Sequence, residues 1–237
     1  MKILIPMAGE GSRFAHAGYT FPKPLIDVNG KPMIQCVVEN LSFDDAEYIF
    51  LVRWEHLDKF QLDPLLDLIT QGRRKIIMVD KLTEGAACTA LLAQEFIDND
   101  DDLLIANSDQ VIEYSKENFD VIRKWADVNI VFTFRASHPK WSFVRTDATS
   151  GHVVEVAEKR PISNIATCGI YHYRRGADFV RCAKKMIEKN IRVNNEFYIA
   201  PVYNELLAEG QVLVPFFVHR MHGLGTPEDL EKYLGSL

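Results

Sequence analysis

The chain alternates short apolar runs with longer stretches in which apolar residues recur at helical spacing. Residues 2–6, 46–52, 75–79, 103–107 and 129–134 are compact apolar runs and read as buried strands. Residues 33–41, 86–97 and 119–125 lie between them and read as helices. This alternation predicts an α/β fold: a single Rossmann-like domain with a mixed, mainly parallel central sheet flanked by helices. Beyond residue 135 the pattern changes. Residues 141–146 and 152–157 bracket the turn-like Asp147-Ala148-Thr149-Ser150-Gly151, which predicts a hairpin. Residues 166–173 read as another strand, and 177–189 and 200–208 as helices. Thr226-Pro227-Glu228-Asp229 is a helix start: Thr226 can cap, Pro227 suits the first helical position, and the two acids favour the positive end of the helix. The second half is expected to form a C-terminal lobe on the same sheet rather than a separate domain, so residues 1–237 are read as one domain.

Composition narrows the function. The 237 residues are 47% hydrophobic and carry a net charge of −6. That is enough apolar material for a sizeable core. The acidic balance argues against a nucleic-acid partner, because phosphate neutralisation along a duplex needs clustered cations. Any phosphate chemistry must rely on a few placed lysines and arginines. The four cysteines, Cys36, Cys88, Cys168 and Cys182, form no C-x-x-C pair and read as reduced thiols. No apolar stretch is long enough for a signal peptide or a membrane span, so the chain is expected to be cytoplasmic, with no membrane partner.

Gly9-Glu10-Gly11-Ser12-Arg13 follows directly on the first predicted strand. Small residues there let backbone amides approach a phosphate chain. The segment is neither a Walker A loop, which would need a following Gly-Lys-Ser/Thr, nor a dinucleotide fingerprint, which would need a third glycine. Downstream, Phe21-Pro22-Lys23-Pro24-Leu25 holds a lysine between two prolines that stiffen its backbone. Val28-Asn29-Gly30-Lys31-Pro32 then turns into a helix. Asp100-Asp101-Asp102 precedes the strand at 103 and would lie at the wrong end of a parallel sheet for a ligand, so it is read as a solvated loop.

The ordered set Ala8-Gly9-x-Gly11-Ser12-Arg13, Pro22-Lys23-Pro24-Leu25 and Gly30-Lys31-Pro32 resembles the opening signature of the sugar-phosphate nucleotidyltransferases. Further segments match in order: Glu84-Gly85-Ala86, the strand ending in Asn107-Ser108-Asp109, Glu158-Lys159-Arg160-Pro161 followed by Asn164, Asn195-Glu196-Phe197, and Gly225-Thr226-Pro227-Glu228-Asp229. The resemblance covers nearly the whole chain. It implies transfer of a nucleoside monophosphate from a nucleoside triphosphate to a phosphorylated small molecule, with release of pyrophosphate. Residues 1–135 would bind the nucleotide and residues 136–237 the acceptor.

The resemblance also implies roles. Ala8, Gly9, Gly11, Ser12, Glu84, Gly85 and Ser108 would bind the nucleotide, with Gly85 leaving space for the base edge. Arg13 would brace the leaving pyrophosphate, and Lys23 would meet the α-phosphate. Asp109 would hold Mg²⁺. Trp141, Glu158, Lys159, Asn164 and Glu196 would bind the acceptor, with Lys159 on its phosphate. Activated precursors for surface polysaccharide are the implied context, and a homo-oligomer is left open.

The chain departs from the pattern at three places. Gly223 stands where the family usually has a second metal-binding aspartate. Trp141-Ser142 replaces a tyrosine-glycine pair, and Gly85-Ala86 replaces glycine-threonine. A remodelled pocket would suit a cytidylyltransferase acting on a phosphorylated alcohol, amine or amino-acid derivative. Two readings lie outside the class. A glycosyltransferase would usually show aspartate-x-aspartate where this chain has Asn107-Ser108-Asp109, and would leave Lys23 without a task. A non-catalytic nucleotide-sugar sensor would account for Gly223 but not for Arg13, Lys23, Asp109 and Lys159 together.

Overall fold

A computed structural model describes all residues, 1–237. The first half runs through β1 (Lys2–Pro6), α1 (Ser12–His16), β2 (Asp27–Val28), β3 (Lys31–Pro32), α2 (Met33–Asn40), β4 (Glu47–Arg53), α3 (Trp54–Lys59), α4 (Leu62–Thr70) and β5 (Arg74–Val79). It continues with α5 (Ala86–Leu91), α6 (Gln94–Ile97), β6 (Leu103–Ala106), β7 (Gln110–Glu113), α7 (Lys116–Trp125) and β8 (Asn129–Arg135). The second half contains β9 (Phe143–Thr146), β10 (Val153–Ala157), β11 (Ile165–Tyr173), α8 (Gly176–Glu188), α9 (Val202–Ala208), β12 (Leu213–Phe217), β13 (Arg220–Gly223) and α10 (Pro227–Leu234).

The central sheet has the order β10-β9-β11-β6-β1-β4-β5, with β8 on the other edge of β11 and β12 beyond it. Strands β6, β1, β4 and β5 are parallel, whereas β11 runs antiparallel to β6 and β8. The apolar runs are continuous because these strands are buried on both faces. Ile3, Ile5, Phe50 and Leu104 pack with α2, α4 and α7, while Leu4, Ile49, Leu51 and Ile105 pack with α5 and α8. The mainly parallel sheet with helices on both faces agrees with the sequence expectation.

Three local differences have physical causes. The helix expected over 86–97 is two helices, because the amides of Leu92 and Ala93 bond three residues back and tighten the turn. Helix α7 begins earlier than expected, where the Ser115 hydroxyl accepts from the Asn118 amide and caps it. The Asp100-Asp101-Asp102 segment does lie at the amino end of β6, but Asp102 is not solvated. Its carboxylate meets the guanidinium groups of Arg123 at 3.2 Å and Arg174 at 3.0 Å. Arg123, only 2% exposed, also pairs with Asp45 and Asp120, so this hub ties α7 to the sheet. The Thr226 cap on α10 forms as expected, with Thr226 Oγ1 accepting from the Asp229 amide at 3.1 Å.

Two features position the site. Strands β1 and β6 are parallel neighbours, so the loops after Pro6 and Ala106 emerge side by side at the carboxyl edge of the sheet. Strand β11 divides its edge: Ile170–Tyr173 pair with β6, while Ala166 pairs with β9. The strand bulges between Thr167 and Tyr171, around Gly169 at φ +71°. The sheet therefore splays open beside Asn107. No helix is long and apolar enough to cross a membrane.

Candidate active site

The cleft opens where β1 ends. Ala8 is buried and Gly9 is exposed, and the amides of Gly9, Glu10 and Gly11 donate to no acceptor within the chain. Unpaired backbone donors at a strand terminus are ready to meet anionic oxygens. Ser12 and Arg13 begin the short helix α1, and both side chains are solvent-exposed. Arg13 forms no ion pair, yet its charge is close enough to act on the phenol of Tyr198.

The two prolines act as the sequence suggested. Pro22 is extended, and Lys23–Leu25 form a single 3₁₀ turn with Pro24 buried beneath. This fixes the lysine backbone and aims its ammonium across the cleft, where it is ion-paired with Asp109. Asp109 follows β6, and its carbonyl accepts from the Leu224 amide at 2.7 Å. Gly9, Gly11, Lys23, Asn107, Ser108 and Asp109 line one cavity of about 180 Å³. A side chain at Gly225 would sit 2.6 Å from the Asp109 carboxylate, so glycine there leaves room for the carboxylate and its Lys23 partner. A single placed carboxylate with open space around it suits a hard cation that takes few protein oxygens.

A second cavity, about 240 Å³, joins the first at Asn107. Trp141, Tyr171 and Tyr198 supply its aromatic walls, and Glu158, Gln110, Ser142 and Lys140 its polar groups. Burial pushes the Glu158 carboxyl above the ordinary range, although Ser142 donates a hydrogen bond to it. Ser142, one of the departures, thus provides a hydroxyl partner that glycine could not.

Three sequence-marked residues do not line this cavity, although Lys159 and Glu196 both act on Tyr198 in its wall. Lys159 Nζ donates to the Tyr198 hydroxyl at 2.5 Å and does not line this cavity. Asn164 is exposed, and its side-chain oxygen accepts from Arg135 at 2.6 Å, also away from the cavity. Glu196 is exposed on a turn closed by the Val193–Glu196 bridge.

Gly85 is required by a close backbone contact. At φ +133°, a Cβ there would lie 2.5 Å from the backbone N and O of Phe197. Phe197 donates its amide to the Glu84 carbonyl at 2.8 Å, and its carbonyl accepts from the Ala87 amide at 2.9 Å. Arg192 adds an ion pair to Glu84 and stacks 3.9 Å from the Phe197 ring centroid. The Glu84-Gly85 turn and the loop bearing Glu196 are therefore one hydrogen-bonded unit.

The structure adds Asn107, Gln110, Lys140, Tyr171 and Tyr198 to the sequence-marked set. Three of these were adjacent to marked residues: Asn107 precedes Ser108, Gln110 follows Asp109, and Lys140 precedes Trp141.

Comparison with known proteins identifies the family and the fold. The nucleotidyl transferase family profile matches residues 2–233. The mannose-1-phosphate guanylyltransferase catalytic subunit beta of Xenopus tropicalis is 27% identical over 97% of this chain and 62% of its own length. The bifunctional protein GlmU of Methanocaldococcus jannaschii is 27% identical over 73% of this chain and 40% of its own. The chain thus spans less than two thirds of these curated relatives. Among solved structures, the nucleoside-diphosphate-sugar pyrophosphorylase of Vibrio cholerae RC9 superposes with a TM-score of 0.85 at 26% identity, covering 98% of this chain and 99% of that one.

Proposed function

We propose, from the premise that the chain belongs to the nucleotidyl transferase family, that it transfers a nucleoside monophosphate from a nucleoside triphosphate to a phosphorylated small molecule. A sugar 1-phosphate is the acceptor class that the similar proteins favour. An acceptor phosphate oxygen attacks the α-phosphorus of the nucleotide. The new P–O bond forms as the bond to the bridging oxygen breaks, and pyrophosphate leaves opposite the attacking oxygen. The nucleophile is already an anion, so no strong general base is required. Alignment and charge neutralisation carry the rate.

In this reading residues 1–135 hold the nucleotide and 136–237 the acceptor. Ala8, Gly9, Gly11 and Ser12 offer backbone donors to the triphosphate, and Ser108 lines the same cavity. Arg13 braces the leaving pyrophosphate with its forked donors. Lys23 leaves Asp109 for the α-phosphate. Glu84 and Gly85 frame the base, while Trp141, Glu158 and Glu196 face the acceptor. Lys159 and Asn164, now tied to Tyr198 and Arg135, would have to turn inward to reach it. Asp109 is the residue that would hold Mg²⁺, which when bound neutralises phosphate charge.

The observation that carries the reading is the Lys23–Asp109 pair facing the free amides of Gly9 to Gly11 across one cavity. It places a cation, a carboxylate and backbone donors where a triphosphate can meet all three. The test is pyrophosphate release with Mg²⁺ across the common triphosphates and a panel of sugar 1-phosphates, phosphocholine and other phosphorylated small molecules. The panel reaches beyond hexoses because Trp141 and Ser142 alter the pocket wall. One productive pair establishes the reaction; silence throughout, beside stabilisation by a nucleotide, would favour a binding protein.

A further inference from the structure

Two donors at the acceptor cavity stand outside the roles assigned so far. Gln110 is 6% exposed, and its Nε2 is buried without a hydrogen-bond partner. It lines the acceptor cavity. A buried amide left unpaired costs stability, so its retention points to an oxygen that arrives with a ligand. The second donor is Lys140. It is the one basic side chain that lines this cavity; the Lys159 ammonium donates instead to the Tyr198 hydroxyl at its wall.

Lys140 lies at a boundary. It lines the acceptor cavity and also the adjoining cavity beside Gly223, and its ammonium is 4.6 Å from the Trp141 ring centroid. Its present partner is Asp229, at 3.1 and 3.2 Å. The Asp229 carboxylate in turn reaches to 3.7 Å from where a Gly223 side chain would begin. An aspartate at 223 would place a second anion beside this pair and hold Lys140 there. Glycine leaves Lys140, itself exposed, with one half-buried carboxylate, and an ion pair open to solvent is weakly held. Lys23 shows the same arrangement on the nucleotide side, its ammonium resting on Asp109.

Resting on the nucleotidyltransferase reading, we infer that Gln110 and Lys140 bind the acceptor. Lys140 turns from Asp229 to the acceptor phosphate, and the Gln110 amide donates to an acceptor oxygen deeper in the cavity. The acceptor they select is a phosphate ester with an oxygen acceptor near the phosphate, set between Gln110 and Glu158.

The test is steady-state kinetics of K140M, K140R and Q110L with the most productive pair from the panel, together with thermal melts. Inorganic phosphate serves as a competitor against the acceptor. K140M should raise the acceptor KM by about tenfold or more and weaken phosphate inhibition, with the nucleotide KM little changed and K140R recovering most of the loss. Q110L should raise the acceptor KM while leaving the melting temperature equal or higher, since it removes an unpaired buried donor. An unchanged acceptor KM in both K140M and Q110L, with the wild type active, would overturn this inference alone. A Q110L protein that melts lower and loses both substrates equally would assign Gln110 to structure instead. Wild-type silence across the whole panel would overturn the transferase reading and this inference with it.

Discussion

The ammonium of Lys23 is paired with the carboxylate of Asp109 across the nucleotide cleft, each side chain 22% exposed. On the proposed reading, the cation that would meet phosphate and the anion that would hold metal neutralise each other in the free protein. Lys23→Ala should lower kcat by about 10²–10³-fold, in the range for removing one preorganised charge at a transition state. Nucleotide affinity should change far less, and Mg²⁺ should bind the empty cleft more tightly, because its competitor for Asp109 is gone. Turnover and calorimetric titrations separate these effects. Equal losses in turnover and nucleotide binding would remove Lys23 from the transition state.

Gly85→Ala tests whether the base turn and the acceptor loop act as one unit. The added methyl would meet the Phe197 backbone at 2.5 Å, and φ +133° is a conformation that alanine adopts only under strain. Overpacking and backbone strain together should cost about 2–4 kcal/mol. Because Phe197 bonds to both Glu84 and Ala87, KM should rise for nucleotide and acceptor together. Denaturant melts and kinetics check both parts; a variant with unaltered stability would show that the loop moves away freely.

Glu158 should set an acidic limb in the acceptor kcat/KM. Burial raises its carboxyl, against the hydrogen bond from Ser142 and the charge of Lys159. Its carboxylate form, which accepts from the acceptor, is therefore gained at a higher pH than the ordinary value of about 4.3. Acceptor kcat/KM should climb through that elevated range, and Glu158→Gln should flatten the limb. For stability the sign is opposite to that of a salt-bridged acid. The neutral carboxyl is favoured in the fold, and its contribution is full below the unfolded pKa and fades as pH rises through the folded one. A limb that persists in Glu158→Gln would belong to another group.

Glu209 provides the contrasting case, remote from the cleft. Hydrogen bonding from Arg181, aided by Lys185, lowers its carboxyl to about 2 and clamps α8 to the end of α9. A depressed acid stabilises the fold above its unfolded pKa, and that stabilisation disappears as pH falls from about 4.3 toward 2. Glu209→Gln should lower the melting temperature at neutral pH and match the wild type near pH 2. A constant difference across that range would assign the clamp to packing.

The sheet was legible because strands such as β1 and β4, buried on both faces, leave unbroken apolar runs. Helices α3 and α4 were not read from the sequence, although Leu62, Leu65, Leu66 and Ile69 recur at helical spacing on the core-facing side of α4. Lys23 and Asp109 could each be marked in advance because each belongs to a motif, but their ion pair shows only in the fold. Gln110 and Lys140 could not, because their burial and direction depend on the β11 bulge at Gly169 and on the fold of α10 around Asp229. Sequence alone also does not show which partners the side chains of Lys159 and Asp102 choose, the first Tyr198 and the second Arg123.

Gly223→Asp restores the carboxylate that the family pattern carries. A Cβ there meets only Asp229 and the Trp141 ring edge, each at 3.7 Å, which is ordinary van der Waals contact, so the fold should accept the change. The neighbouring Leu224 amide is bonded to the Asp109 carbonyl, so the backbone next to position 223 runs beside that of Asp109. Mg²⁺ binding in the presence of nucleotide should tighten by about tenfold, equivalent to about 1.4 kcal/mol. The same anion would compete for Lys140, so the acceptor KM should rise as metal affinity improves. Calorimetric Mg²⁺ titration and acceptor kinetics on one variant read the two effects independently. Tighter metal with an unchanged acceptor KM would separate Lys140 from acceptor binding, and no change in metal affinity would mean that position 223 points its side chain away from Asp109.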